Sequence, residues 1–247
     1  AWLAGRDASL QWALARVSQA SQGKLQFEGV RGSLLGTIDL DRAHFSSPEL
    51  EISITRGSLQ FSLFPLLRGD LIIDRVAADR VTLRQAPTGK PSQAPQDLTL
   101  PLAIQVKALE VKEFSFESGA LNLSVARLRG QFSSDGKQHE IVLDHVESPW
   151  GTASASLSLG GLAPFALSGK AQFKPLQPAW PRATRIAFSG NLLQFRADLD
   201  AQTASLSVTA AAQLRPFDPA VVPDLTVDIE RIDLRGLDPI GSHSTPG

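Results

Sequence analysis

The sequence predicts an all-β protein: one long, mostly antiparallel sheet preceded by one short helix. Two observations carry this. From about residue 25 onward, apolar and polar residues alternate with a period of two. Leu193, Phe195, Ala197 and Leu199 interleave with Gln194, Arg196 and Asp198, and Leu206, Val208, Ala210 and Ala212 with Ser207, Thr209 and Gln213. Successive side chains on a strand point to opposite faces, so each run has one apolar and one polar face. Second, no helical layer and few fully apolar strands accompany these runs, so little in the chain can cover that apolar face. It either closes on itself or faces a ligand that is itself apolar.

The elements follow in order. Residues 1–23 hold the predicted helix: Leu10, Ala13, Leu14 and Val17 have helical spacing, Asp7 or Ser9 can cap it, and Gly23 can end it. Trp2 and Trp12 fit a helix at a membrane surface or a plug for an open sheet end. The plug is favoured because Arg6 and Arg16 are the only basic residues there. Strands are expected near 24–30, 36–45, 49–64, 70–85, 103–117, 120–133, 138–147, 151–160, 164–174, 184–189, 192–200, 203–215 and 225–235. Ser134, Asp135 and Gly136 form a hairpin signal, and short turns of this kind imply antiparallel neighbours. Residues 86–97 contain Pro87, Pro91 and Pro95 among polar residues, so they cannot lie inside a sheet. They read as an exposed loop dispensable for folding. It marks a domain boundary or interrupts one continuous groove segment over 24–247, since the alternation resumes at Ile104.

Composition narrows the function. The formal net charge of −1, from 24 basic and 25 acidic residues, argues against a nucleic-acid face. There is no cysteine to form disulfides or thiolate metal sites, and the absence of methionine reads as a segment of a longer chain. No run reaches the roughly 18–20 apolar residues of a membrane-spanning helix.

No phosphate loop, nucleophile elbow or metalloprotease histidine pair is present. No enzymatic activity and no cofactor or metal are expected. His139 and His145, six residues apart, should share one face about 20 Å apart, which fits surface histidines rather than metal ligands. Asp39 and Asp41, and Asp74, Arg75, Asp79 and Arg80, read as a solvated outer face.

The functional content therefore lies in the apolar positions. The candidate lining comprises Leu50, Ile52, Ile54, Leu59, Phe61 and Leu63, then Phe114, Phe116, Leu121, Leu123, Ile141 and Leu143. Phe188, Leu193, Phe195, Leu199, Leu206 and Val208 complete it. The same alternation would also fill an ordinary sandwich or barrel core.

Residues 23–117 carry a resemblance. Gly29-Val30-Arg31-Gly32-Ser33-Leu34 leads into a strand with Ile38 and Leu40. Phe64-Pro65-Leu66-Leu67-Arg68-Gly69 is followed by LIIDRVAADRVTLRQ, a proline-rich loop and LPLAIQVKALEVKEFSF. This order resembles the opening periplasmic part of the TamB family, within the wider AsmA-like group of bridge-like lipid-transfer proteins. The stretch PWGTASASLSLGG is loosely similar to that family's repeating unit. The resemblance implies a curled, taco-like open half-pipe lined with apolar side chains. It implies a periplasmic location in a Gram-negative bacterium, with an inner-membrane anchor preceding the segment. Phospholipid acyl chains would be the cargo, and an outer-membrane barrel subunit would be a partner through parts of the chain not included here. A scaffold donating strands to outer-membrane proteins is the alternative, and a β-solenoid carbohydrate binder ranks below both.

Overall fold

The computed structural model describes residues 21–33, 36–62, 64–85, 94–119, 121–176, 183–202, 206–218 and 221–232. The expected N-terminal helix and the first part of the proline-rich loop lie outside these residues. The chain forms β1 (Leu25–Glu28), β2 (Arg31–Gly32), β3 (Thr37–Ser46), β4 (Leu50–Ser62) and β5 (Asp70–Gln85). These are followed by β6 (Ala103–Ser118), β7 (Leu121–Ser134), β8 (Gln138–Ser148), β9 (Gly151–Gly160) and β10 (Ala166–Pro175). β11 (Ala183–Asn191), β12 (Gln194–Gln202), β13 (Leu206–Leu214) and β14 (Asp224–Ile232) complete it, with a short 3-10 turn at Phe64–Arg68. All of them join one 14-stranded sheet that does not close into a barrel. Each expected strand is present. The first is split, because β1 and β2 are two pieces of one edge strand against β3.

Every neighbouring pair is antiparallel except β5 and β6, which run parallel. The strands therefore define two rims. β1 starts at the first rim, which also holds the β3–β4, β6–β7 and β8–β9 turns, and the β4–β5, β7–β8 and β9–β10 turns form the second. The proline-rich segment is the crossover that makes the parallel step, returning the chain from Gln85 on the first rim to Ala103 on the second. It is thus not a free loop. Ala94, Gln96 and Asp97 are exposed, but Leu98 N–H donates to Gly161 O (2.9 Å) and Leu100 N–H to Gly136 O (2.8 Å). Its last turn is strapped across the second rim.

The parallel pair is held in register by its polar face. Arg80–Glu113 (2.6 Å) and Arg84–Glu117 (2.9 Å) join paired residues, and Asp74–Lys107 (2.7 Å) and Asp79–Lys112 (2.7 Å) bridge the two strands where the ladder is interrupted. Exposed pairs contribute little stability singly. A slip of one residue, however, would set like charges against each other and turn the apolar side chains to solvent.

The alternation contains a shared irregularity. Apolar residues step by three instead of two from Leu40 to Ala43, Ile54 to Gly57, Ala78 to Val81, Val111 to Phe114, Val125 to Leu128 and Leu143 to Val146. The skipped positions are aligned: strand pairing passes over Asp41 opposite Arg56, Arg56 opposite Asp79, Asp79 opposite Lys112, and Lys112 opposite Arg127. Gly29 (φ 64°), Arg56 (φ 50°) and Arg127 (φ 50°) adopt left-handed backbone on this line. At β8 it ends in a bulge against β9. An inserted residue bends a strand, and a row of them creases a sheet. This crease, the keel, runs from the β1–β2 break to β8.

The keel bends toward the apolar side. Ala43, Ala78, Val111 and Val125 flank it and are all buried, while Arg56, Lys112 and Arg127 point outward at 74%, 77% and 65% exposure. Side chains crowd on the inside of a bend and splay on its outside. The result is an open trough with an apolar interior.

Candidate functional site: the apolar trough

Directly paired residues share a face, so the wall can be followed strand by strand. Phe45, Ile52, Leu83, Phe116 and Leu123 form one row on the first-rim side of the keel. Ile38, Leu59, Val76 and Leu109 form another on the second-rim side. Beyond β8 the rows continue as Leu157, Gly169, Phe188, Ala197, Ala212 and Leu225, and as Ala155, Ala171, Ile186, Leu199, Ala210 and Val227. Large side chains stand beside glycine or alanine along these rows. Gly169 lies under Leu157, and a Cβ there would sit 2.9 Å from the Leu157 Cδ1 and 2.6 Å from Ser156 O. No Asp, Glu, Lys or Arg stands on this face among the described strand residues.

Most expected lining residues are brought together here. Leu50, Ile52, Ile54, Leu59 and Phe61 of β4 share the face with Phe114 and Phe116 of β6. Leu123, Ile141, Leu143, Phe188, Phe195, Leu199 and Val208 continue it. Phe188 and Phe195 meet edge to face with centroids 6.2 Å apart. Leu193 differs: it sits in the β11–β12 turn, where Asn191 Oδ1 accepts its N–H (3.1 Å). Leu63 lies outside the described residues, and Leu121 and Leu206 are placed only as strand positions opposite Ser118 and Ile232.

Among the described residues nothing covers the wall. The substantial contacts between described elements join sheet neighbours or the 3-10 turn to β5. Phe165, 1% exposed, is the only large side chain wholly buried among them. It nails two turns together: its N–H donates to Leu162 O (2.7 Å), and its carbonyl accepts the Leu192 N–H (2.9 Å). A sandwich or barrel of this length would bury many such residues.

Two corrections concern the polar groups. His139 and His145 do not share a face, because the β8 bulge between Leu143 and Val146 reverses the count. His145 stays outside, 3.8 Å from Glu147. His139 is buried at the second rim, where it stacks on Phe132 (6.4 Å). Its Nδ1 pairs with Ser134 Oγ (2.8 Å) and its Nε2 with Leu98 O (2.9 Å). It is therefore part of the latch that holds the crossover. Asp79, read as polar scatter, is the centre of the keel and binds both Arg56 (2.5 Å) and Lys112 (2.7 Å). Hydrogen bonding from Lys112 holds its carboxyl below the ordinary value of 3.8.

Hollows of definite volume open on the polar face. One of about 430 Å³ lies between Ile72, Gln105, Ser133 and Glu140, and one of about 490 Å³ between Lys170, Arg185, Asp198 and Asp228. The trough itself is a continuous wall rather than a pocket. Among the described residues no helix is long and apolar enough to cross a membrane. No protein-family model, curated protein or solved structure matches the chain.

Proposed function

We propose that the trough is a conduit wall for phospholipid acyl chains, in a segment of a TamB-like bridge running between inner and outer membranes across the periplasm. The observation that carries this is the uncharged apolar face, unbroken from strand to strand and left uncovered by the described residues. An acyl chain gains about 0.8 kcal/mol for each CH₂ buried against such a wall. Because the gain is the same at every point along the wall, it favours sliding over fixed binding. No single residue is a ligand in this reading, which suits transport better than catalysis. In the longer protein, an inner-membrane anchor and an outer-membrane barrel partner would supply the ends of the path.

The test is a photo-crosslinking amino acid placed at Phe116 and at Phe195, with Glu113 and Gln194 as positions on the opposite face. Crosslinks to phospholipid at the two phenylalanine positions, and none at the other two, are expected. Equal labelling of both faces, or none at either, rejects the conduit. The outer edge of β14, unpaired among the described residues, favours a second reading, capture of an extended partner strand by edge pairing. Crosslinks from β14 to unfolded outer-membrane protein, with no lipid in the trough, would select it.

A further inference from the structure

On the first-rim side of the keel strand pairing is regular over several residues, and such ladders are stiff; on the second-rim side it is interrupted once more, at Asp74 of β5 and between Val106 and Leu109 of β6. Along the keel, pairing skips one position between β3 and β4, β4 and β5, β5 and β6, and β6 and β7. At two of these four places side-chain contacts join the strands, Arg56–Asp79 (2.5 Å) and Asp79–Lys112 (2.7 Å), and Arg127–Glu147 extends the row from β7 to β8, while between β6 and β7 the opposed residues are the like-charged Lys112 and Arg127. At the edge, Arg31 adds a 2.6 Å contact to Asp41. Two of the crease residues, Arg56 and Arg127, hold left-handed backbone that non-glycine residues rarely adopt.

We infer that the keel is a flexural hinge whose outer ion-pair row sets how far the trough opens. Bending concentrates where a plate is weakest, and here the backbone ladder gives way to solvent-exposed charges. Such contacts weaken with added salt, because the screening length falls from about 10 Å at 0.1 M to about 3 Å at 1 M. Asp79 is the critical member, since one carboxylate ties β4 and β6 to β5. The apolar residues flanking the keel carry no countervailing charge, so loosening the row opens the bend without exposing an ion. This inference rests on the fold alone and holds whatever fills the trough.

The chain has no native cysteine, so paired spin labels can be placed at Gln105→Cys and Ser115→Cys, on the polar face of β6 and on opposite sides of the keel. A straight strand would separate these positions by about 33 Å. In the folded chain the distance should be shorter at low salt. At 1 M salt, or with Asp79→Asn at low salt, the distribution should broaden and move toward the straight-strand value. Glu117→Gln, which removes an ion pair at the first rim instead, should leave it unchanged. A distance unaffected by both salt and Asp79→Asn means a rigid corner and overturns the hinge. Equal broadening in Asp79→Asn and Glu117→Gln means general loosening of the sheet and overturns it too.

Discussion

Replacing Phe195 by aspartate separates an open trough from a closed core in one measurement. Phe195 lies opposite Gly190 and Leu214, and its ring meets Phe188 edge to face at 6.2 Å. It is half-buried rather than enclosed. Full burial of a phenylalanine contributes about 1.5–3 kcal/mol, so partial burial contributes about half of that. The aromatic pair adds about 0.5–1.5 kcal/mol. Phe195→Asp should therefore cost about 1–3 kcal/mol, because the new carboxylate still reaches water. At about 2–4 °C per kcal/mol for a chain of this size, Tm should fall by about 2–12 °C with the β spectrum intact. In a closed core the same change would lose about 3–5 kcal/mol of packing and also bury an unpaired carboxylate, which is enough to unfold most domains. Phe165→Asp provides the internal standard, since Phe165 is wholly buried and its variant should not fold. The assay is far-UV circular dichroism with thermal melting, run beside lipid crosslinking from Phe116. A Phe195→Asp spectrum as collapsed as that of Phe165→Asp refutes the open wall. A folded variant that still carries lipid as well as the parent would show that Phe195 does not line the path.

Two further outcomes follow. The crossover must reach from Gln85 at one rim to Leu98 at the other in thirteen residues, at most about 47 Å. Deleting six residues within 86–93 should therefore break either the β5–β6 register or the strap, which a failed disulfide between Thr82→Cys and Ser115→Cys, directly opposed in the parallel pair, would report; efficient disulfide formation with unchanged Tm would contradict the crossover. Acid should destabilise the polar face, because hydrogen bonds from Lys107 to Asp74, from Lys112 to Asp79 and from Arg127 to Glu147 hold these carboxyls below their ordinary values of 3.8, 3.8 and 4.5. Depressed carboxylates stabilise the fold above those values, and the contribution is lost as pH falls through about 4 and below. Melting curves between about pH 6 and pH 3 should fall less steeply for Asp79→Asn than for the parent, and parallel curves would show that the keel carboxylate has no share in the effect.

The strands were legible because each run alternates over enough residues to fix its faces: Phe195, Ala197 and Leu199 occupy the face their spacing assigns. The keel was not legible. Its signature, an apolar residue, a charged or polar pair and another apolar residue, stands in Ala78-Asp79-Arg80-Val81 and again in Val111-Lys112-Glu113-Phe114. In one strand such a pair looks like surface charge, and only the alignment of several strands turns it into a crease. The parallel step was hidden for a related reason. Alternation says nothing about strand direction, although the complementarity of Arg80 with Glu113 and Arg84 with Glu117, thirty-three residues apart, was present in the sequence. His145 was placed on the face of His139 because counting by two fails across the bulge between Leu143 and Val146.

The single parallel pair also decides the parity of the whole ribbon. Counting β1 and β2 as one edge strand, thirteen strands in strict up-and-down order would admit the chain at one rim and release it at the other. One step taken in the same direction restores an even count. Leu25 therefore begins, and Ile232 ends, on the same side of the trough. Whatever precedes residue 25 and whatever follows residue 232 depart from that one margin. Among the described residues the opposite margin, with its strap and its latched histidine, carries only turns and the crossover.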